Sequence, residues 1–422
     1  MPAVEMRDND CFESRSPSSF MKAAETTIIL EHREGAWEIF LVFLRLGLTS
    51  FGGPIAHLGY FRDEFVTRRQ WLAEKSYADL VAFCQFLPGP ASSQAGMALG
   101  LARAGYAGAL AAWAGFTLPS AIAMILFAQG LANHRDVLSS GVLHGLKIVA
   151  VAVVAQAVWG MAVNFCKDAL RVTIAVLAAC AVLLAPSALA QIGVMAIAGL
   201  AGLLLFSPVQ AAEHEPLPII VSHRAGVLWL MLFFVLLIGL PILAKELPSH
   251  FTAEVDVFYR AGSLVFGGGH VVLPLLQAAV VPSGWISNET FLAGYGAVQA
   301  LPGPLFTFAA FLGGSMNTAP SGWMGGMACL LAIFAPSFLL VMGALPVWEN
   351  VRRNVRTQSA LSGINAAVVG LLLAALYHPV WTSTIHSPRD FVLALIFLVA
   401  LMFWKLPPWL VVIASGVAGF WF

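Results

Sequence analysis

Two stretches of the sequence decide the fold because they repeat: residues 45–53 read RLGLTSFGG and residues 260–268 read RAGSLVFGG. A second pair follows them, with QFLPGP at 85–90 and QALPGP at 299–304. Both pairs align without gaps and in the same order. Further recurrences are Trp71 with Trp285, Pro119-Ser120 with Pro336-Ser337, and Gly145 with Gly363. The chain is therefore an internal duplication, since chance composition would not preserve order and spacing.

The composition places this duplication in a membrane. Of 422 residues, 59% are hydrophobic and only 10% are charged, against about 25% charged in an ordinary soluble domain. The formal net charge of zero excludes the basic surface of a nucleic-acid binder. The five cysteines are scattered without a CxxC pair, so we expect no disulfide framework, metal site or cofactor.

Apolar segments predict an all-α polytopic membrane protein. Most are near the roughly 20 residues that span a bilayer: 105–132, 138–165, 170–188, 190–206, 226–243, 321–347, 358–377, 391–404 and 407–422. Four more are interrupted by the FGG or PGP motifs: 36–60, 76–101, 257–274 and 290–314. Proline and paired glycines break helices. Broken backbone persists at membrane depth only where protein or a wet cavity satisfies it.

The order of these segments divides the chain into five parts. We predict a flexible cytoplasmic tail at 1–35, a first transmembrane repeat at 36–207 and a cytoplasmic linker at 208–225. A connecting transmembrane helix at 226–247 leads into the second repeat at 248–422.

The distribution of positive charge orients the repeats, because short cytoplasmic loops collect Lys and Arg. The loop at 61–75 carries Arg62, Arg68, Arg69 and Lys75, whereas its counterpart at 275–290 has neither residue type. The next pair of loops reverses this bias, with Arg135 against Arg352, Arg353 and Arg356. We therefore predict inverted repeats, re-entrant PGP segments and a cytoplasmic N-terminus. The alternative, in which all thirteen segments span, would leave three arginines outside.

The paired FGGP and QFLPGP motifs resemble those of the chromate ion transporter family in its long, two-repeat form, over residues 36–422. The resemblance implies a multi-pass protein of the inner membrane that exports chromate and confers chromate resistance, with sulfate as a similar anion. One departure is that the first motif ends Gly-Gly-Pro and the second Gly-Gly-Gly-His. The two repeats therefore cannot offer identical groups to a ligand.

The motifs themselves predict an anion site. Proline suits the start of a helix, and helix starts bind anions through free N–H groups and a positive dipole end. Ser92, Ser93 and Thr307 follow these starts and could donate to an oxyanion or cap their own helices. The backbone candidates are Gly52, Gly53, Pro54, Gly89, Pro90, Gly267, Gly268, Gly303 and Pro304.

Side chains near the breaks add candidates. Arg45 and Arg260 lie at matched positions in apolar stretches, where a charge is costly and indicates function; snorkelling to the headgroups is the alternative. Gln85 and Gln299 could contact the anion or tie the breaks together. His57 and His270 could carry protons for coupling, or serve as hydrogen-bonding groups between helices.

The predicted function is a secondary transporter. The sequence contains no GxxxxGK[ST] loop for nucleotide. Moving a dianion out of a negative interior is downhill by about 2 × 2.3 kcal/mol per 100 mV, so the membrane potential alone could drive export. Uptake of sulfate or another oxyanion is the alternative within transport. An intramembrane enzyme is the alternative class, but no HExxH motif or paired intramembrane aspartates are present. The expected partners are chromate, sulfate and the lipid bilayer, with no nucleic acid; a homodimer is left open.

Overall fold

A computed structural model describes residues 34–133, 140–185, 187–206, 221–247, 249–266, 268–348 and 354–419. Residues 1–33 of the predicted tail, 208–220 of the predicted linker, Gly267, Arg135, Arg352 and Arg353 lie outside these ranges. The described residues form helices and contain no strand, which confirms the all-α class.

The first repeat comprises seven helices: α1 (Ala36–Thr49), α2 (Gly53–Arg62), α3 (Glu74–Phe86), α4 (Ala91–Asn133), α5 (Ser140–Phe165), α6 (Ala169–Leu184) and α7 (Ala188–Leu205). A π-helical turn, Asp63–Arg68, extends α2. Helix α8 (His223–Glu246) then connects the repeats. It exposes a continuous set of large apolar side chains, including Leu228, Phe234, Val235 and Ile238, as expected for a helix facing lipid.

The second repeat comprises α9 (His250–Leu264), α10 (Val272–Val280), α11 (Asn288–Val298), α12 (Phe308–Ser315), α13 (Gly322–Ala344), α14 (Val355–Ala375), α15 (Pro388–Met402) and α16 (Pro408–Gly419). Short 3-10 turns, Gly269–Val271 and Leu305–Thr307, precede α10 and α12. Among the described residues, five helical segments are long and apolar enough to cross a membrane: Ala91–Ala132, Gly141–Phe165, His223–Glu246, Gly322–Val347 and Arg356–Trp381.

In the first repeat, the chain segment before Trp71 and the segment after it each end close to the point where they start. Trp71 Nε1 donates a hydrogen bond of 3.0 Å to Glu34 Oε1, just before α1. The Arg103 guanidinium lies 5.1 Å from the centre of the Trp71 ring. Glu34, Trp71 and Arg103 therefore form a first junction. Helix α4 bends immediately afterwards, with Ala104 and Gly105 outside helical geometry, and continues as a long apolar helix.

The second repeat has an equivalent junction. The Asn317 N–H donates a hydrogen bond of 3.1 Å to the Trp285 carbonyl oxygen. Beside it, Thr318 Oγ1 donates to Glu254 Oε1 over 3.4 Å. Glu254, Trp285, Asn317 and Thr318 form this second junction. Trp285 and Asn317 are the alignment counterparts of Trp71 and Arg103, so the two repeats fold their first halves alike.

The repeats exchange their last helices. Helix α5 packs against α15 and α16 of the second repeat, and α14 packs against α6 and α7 of the first. Both contacts need glycine: a Cβ on Gly145 would overlap the Ser415 carbonyl oxygen, and one on Gly363 would overlap that of Ala198. Gly145 is the alignment counterpart of Gly363, and Ala198 is that of Ser415. Each repeat therefore makes the same glycine contact with the other. The repeats are therefore related by an approximate two-fold axis.

One polar contact differs between the repeats. Arg62 Nε donates to Glu74 Oε1 over 2.6 Å, linking the end of α2 to the start of α3. The equivalent contact joins the Gln277 and Asn288 side chains over 2.7 Å. Burial raises the pKa of Glu64, but hydrogen bonds from Arg69 and Arg68 lower it more, so its net pKa is below the usual value. The contact in the 61–75 loop is thus ionic, whereas the equivalent contact in the second repeat joins two uncharged side chains.

The helix exchange gives a test by stability. We expect Gly145→Ala and Gly363→Ala each to lower the thermal midpoint of the detergent-purified protein, because inserting a methyl group into a close contact costs about 1–3 kcal/mol. A Cβ on Gly239 of α8 has no neighbour within 4 Å, so Gly239→Ala should maintain or raise the midpoint by improving helix propensity. Fluorescence-detected gel filtration after heating measures all three. Equal midpoints for Gly145→Ala and Gly239→Ala would contradict the exchanged packing.

Candidate anion site

The four helix interruptions meet and pair crosswise. The Gly303 N–H donates a hydrogen bond of 3.0 Å to the Ser50 carbonyl oxygen, and the Gly89 N–H donates one of 2.7 Å to that of Val265. Ser50 and Val265 are counterparts, as are the two glycines. Each PGP motif therefore binds the FGG segment of the other repeat. This arrangement satisfies backbone groups that the broken helices leave unpaired.

Glycine is required at both PGP positions. Gly89 and Gly303 have φ values of +123° and +98°, which side-chain-bearing residues rarely adopt. A Cβ on Gly89 would overlap the Ser337 hydroxyl, and one on Gly303 would lie 2.9 Å from the Ser120 hydroxyl. Ser120 and Ser337 are again counterparts. The second halves of α4 and α13 thus close over the PGP motifs of the opposite repeats.

The two FGG segments also approach one another. Helix α1 ends at Thr49 and α2 begins at Gly53, so Pro54 lies in the first turn of α2. A Cβ placed on Gly269 would be 3.6 Å from Pro54 Cγ. Gly52, Gly53 and Gly268 have φ values of +102°, +80° and +145°. Both FGG breaks therefore contribute to one central region.

Buried His57 joins two breaks of the first repeat. Its Nε2 lies 3.1 Å from the Ser50 carbonyl oxygen, and this nitrogen donates because a carbonyl oxygen only accepts. Its Nδ1 lies 3.4 Å from Ser92 Oγ, at the start of α4. The ring packs edge-on against Phe116 with centroids 5.3 Å apart. His57 thus holds the FGG and PGP breaks together, which corresponds to the helix-bridging alternative from the sequence.

We call the region where the four breaks meet the crossing. Five buried polar atoms there have no hydrogen-bond partner among the described residues: Ser50 Oγ, Ser93 Oγ, Gln94 Oε1, Thr117 Oγ1 and Ser337 Oγ. Buried polar atoms without partners are rare in proteins. Their concentration at the interrupted helices indicates a place for a polar ligand. Of these residues the sequence predicts only Ser93 as a ligand-binding residue; Ser337 is visible there as part of the repeat, and no motif singles out Gln94.

The helix starts supply further donors, but they are not equivalent. Helix α4 begins at Ala91, directly after Pro90, and its first part runs to the bend at Ala104 and Gly105. In the second repeat Pro304 precedes a 3-10 turn and the short helix α12. Thr307 Oγ1 donates to the Pro304 carbonyl oxygen over 2.9 Å, whereas its counterpart Ser93 is unpaired. The start of α4 is therefore the stronger donor to a ligand.

The two matched arginines have different surroundings. The guanidinium of Arg260 makes a two-pronged ion pair with the buried carboxylate of Asp256, with Nε to Oδ1 at 2.8 Å. The counterpart of Asp256 is Leu41. Arg45 is exposed and lines an open cavity of about 520 Å³ with Thr49, Tyr60, Asp63, Glu64 and Arg68. Among the described residues, neither arginine side chain bridges the four breaks.

The remaining candidates are dispersed. His270 Nδ1 lies 2.6 Å from the hydroxyl of buried Tyr295. Gln85 is exposed at the end of α3. Gln299 Nε2 is buried without a partner within the described ranges, so the two glutamines occupy different environments. Among the described candidates, the crossing thus assembles the glycines, prolines and hydroxyls, but not both members of each polar pair.

Comparison with known proteins agrees with this architecture. The family model for the chromate transporter matches residues 37–203 and, separately, residues 254–420. The chain belongs to the chromate transporter family. It is therefore a multi-pass membrane transporter with two family repeats.

Relatives match nearly the whole chain. The chromate transport protein of Pseudomonas aeruginosa is 27% identical over 401 residues, which cover 90% of this chain and 91% of the relative. The probable chromate transport protein of Synechococcus elongatus is 24% identical over 416 residues, covering 95% and 100% respectively. No solved structure matches the chain.

The contacts at the crossing predict that transport depends on Gly89 and Gly303. We expect Gly89→Ala and Gly303→Ala to abolish chromate flux in everted vesicles, because each adds strain at positive φ and displaces a serine of the other repeat. Gly59→Ala in α2 is the matched control, since a Cβ there meets nothing within 4 Å. Immunoblotting of the vesicles corrects for expression. Full flux in well-inserted Gly89→Ala and Gly303→Ala would show that the crossing is not needed.

Proposed function

We propose that the protein is a secondary transporter that exports chromate, a divalent tetrahedral oxyanion, across the inner membrane and so confers chromate resistance. The observation that carries this proposal is the cluster of buried hydroxyl groups, on Ser50, Ser93, Thr117 and Ser337, that have no hydrogen-bond partner among the described residues at the crossing of the four breaks. Family membership supports chromate as the substrate.

The chemistry of the cluster suits such an anion. Four oxygens arranged tetrahedrally need hydrogen-bond donors from several directions, and the crossing receives elements from both repeats. The hydroxyls of Ser50, Ser93 and Ser337 can turn their hydrogens toward a ligand. The start of α4 adds backbone N–H groups and a positive dipole end. Neutral donors can hold a dianion without a fixed counter-charge that would retain it.

We propose that Arg45 acts before binding. It lies on α1, two helical turns or less from the Gly52 break, and lines the open cavity near the 61–75 loop. Among the described residues no carboxylate forms an ion pair with Arg45, whereas Arg260 is paired with Asp256. An exposed arginine at a cavity mouth attracts anions and raises their local concentration. Of the two arginines, Arg45 is therefore the one available to the anion.

We propose the inverted, re-entrant topology with a cytoplasmic N-terminus. The contacts at the two junctions support it, because a segment whose ends lie together cannot cross a bilayer. The first repeat then has four crossings, in the second part of α4, α5, α6 and α7, and ends on its starting side. Helix α8 crosses once more, so the second repeat starts on the opposite side. The predicted domain boundaries follow from this path.

The hydroxyls provide a test of the binding site. We expect Ser93→Ala and Ser337→Ala each to weaken chromate affinity by roughly 10- to 150-fold, since a hydrogen bond to a charged group contributes about 1.5–3 kcal/mol. Ser263→Ala is the control, because Ser263 is also buried but already donates to the Tyr259 carbonyl oxygen over 2.8 Å. Concentration-dependent flux in proteoliposomes gives the affinity, with sulfate as competitor. Unchanged affinity in both variants would reject the site, and equal flux of sulfate would broaden the substrate class.

The topology has its own test. Single cysteines at Thr67 and Ser283, both exposed, are placed in a protein lacking the five native cysteines. In intact cells an impermeant thiol reagent should label Ser283→Cys, and should label Thr67→Cys only after permeabilisation, because the arginine-rich loop stays inside. Labelling of both positions from the same side would rule out inverted repeats.

A further inference from the structure

The second junction contains a carboxyl group that the proposed anion site does not use. Glu254, in the first half of α9, is only 1% exposed. Its Oε1 accepts a hydrogen bond from Thr318. Its Oε2 is buried and has no partner in the part of the chain that the structure describes. A carboxyl group inside an apolar membrane protein is expensive and indicates function.

Among the described residues, no cation faces this carboxyl group from the helices packed against α9. Helix α13 presents the thiol of Cys329, and neither α10 nor the 317–320 turn has a titratable side chain. On α9 itself, Asp256 and Arg260 pair with each other, and His250 is exposed. The titratable residues of α8 are all exposed: His223, Arg224, Lys245 and Glu246.

The glutamate of the first junction, Glu34, has arginine side chains close by. There Arg69 lies 3.8 Å from Glu34, and Arg103 stacks on the Trp71 ring that donates to Glu34. The alignment places Ser283 and Asn317 where the first repeat has Arg69 and Arg103. The second junction therefore contains a buried glutamate, Glu254, which is not the alignment counterpart of Glu34, and it lacks the arginines that accompany Glu34.

Burial without a cation favours the uncharged acid, because an unpaired carboxylate in an apolar site costs several kcal/mol. We propose that Glu254 is a proton-binding site through which the outer solution controls anion transport; this rests on the proposed function and topology. With the proton bound, the second junction packs closed. When the proton leaves to water, the unpaired carboxylate requires hydration and opens the junction, so a proton must return before the cycle continues.

The first experiment measures chromate flux in proteoliposomes at a fixed membrane potential while only the pH at the outer face varies. Wild-type flux should fall as that pH rises, by up to about tenfold per pH unit, the limit for one titrating group. Glu254→Gln should keep the low-pH flux at every pH, and Glu254→Asp should restore the response. Glu289→Gln, at an exposed site in the same region, should behave as wild type. A wild-type response in Glu254→Gln would overturn the proposal.

A second measurement needs no transport. The infrared spectrum of the wild type in lipid at neutral pH should contain the carbonyl band of a protonated carboxyl group. Glu254→Gln should lose this band, and Glu289→Gln should keep it. If wild type moved no chromate, the proposed substrate would fail, yet the band would still report on Glu254. Persistence of the full band in Glu254→Gln would refute proton binding there.

Discussion

The crosswise hydrogen bonds between the repeats, from Gly89 to Val265 and from Gly303 to Ser50, are the constraint on which the rest of the structure depends. Helices interrupted in an apolar surrounding leave N–H and C=O groups that lipid cannot satisfy. Here each repeat satisfies the other. The central region is therefore built from both halves and belongs to neither alone.

Close packing between small residues makes this arrangement possible. In lipid, helices associate mainly through packing of small side chains, and the exchanged contacts at Gly145 and Gly363 allow backbones to touch. The same principle applies at the PGP motifs, where glycine lets a serine of the opposite repeat come within contact distance. The packing of the two repeats is therefore symmetric, whereas the polar side chains at matched positions can differ.

The chemistry does differ between the repeats. The first repeat has ion pairs at its loop and junction, whereas the second has Gln277 with Asn288 and an uncompensated Glu254. His57 bridges two breaks, while its partner candidate His270 contacts Tyr295.

The sequence by itself determined the helical class, the duplication and the places where helices stop, because proline, paired glycines and apolar run length act locally. It also contains the Asp256–Arg260 spacing of one helical turn, which permits the ion pair. Which FGG segment meets which PGP motif was decided only by the tertiary structure, since an alignment shows equivalence and not contact. The same holds for Ser337, Gln94 and Glu254: burial and missing partners arise when distant helices pack, and no spacing along the chain encodes them.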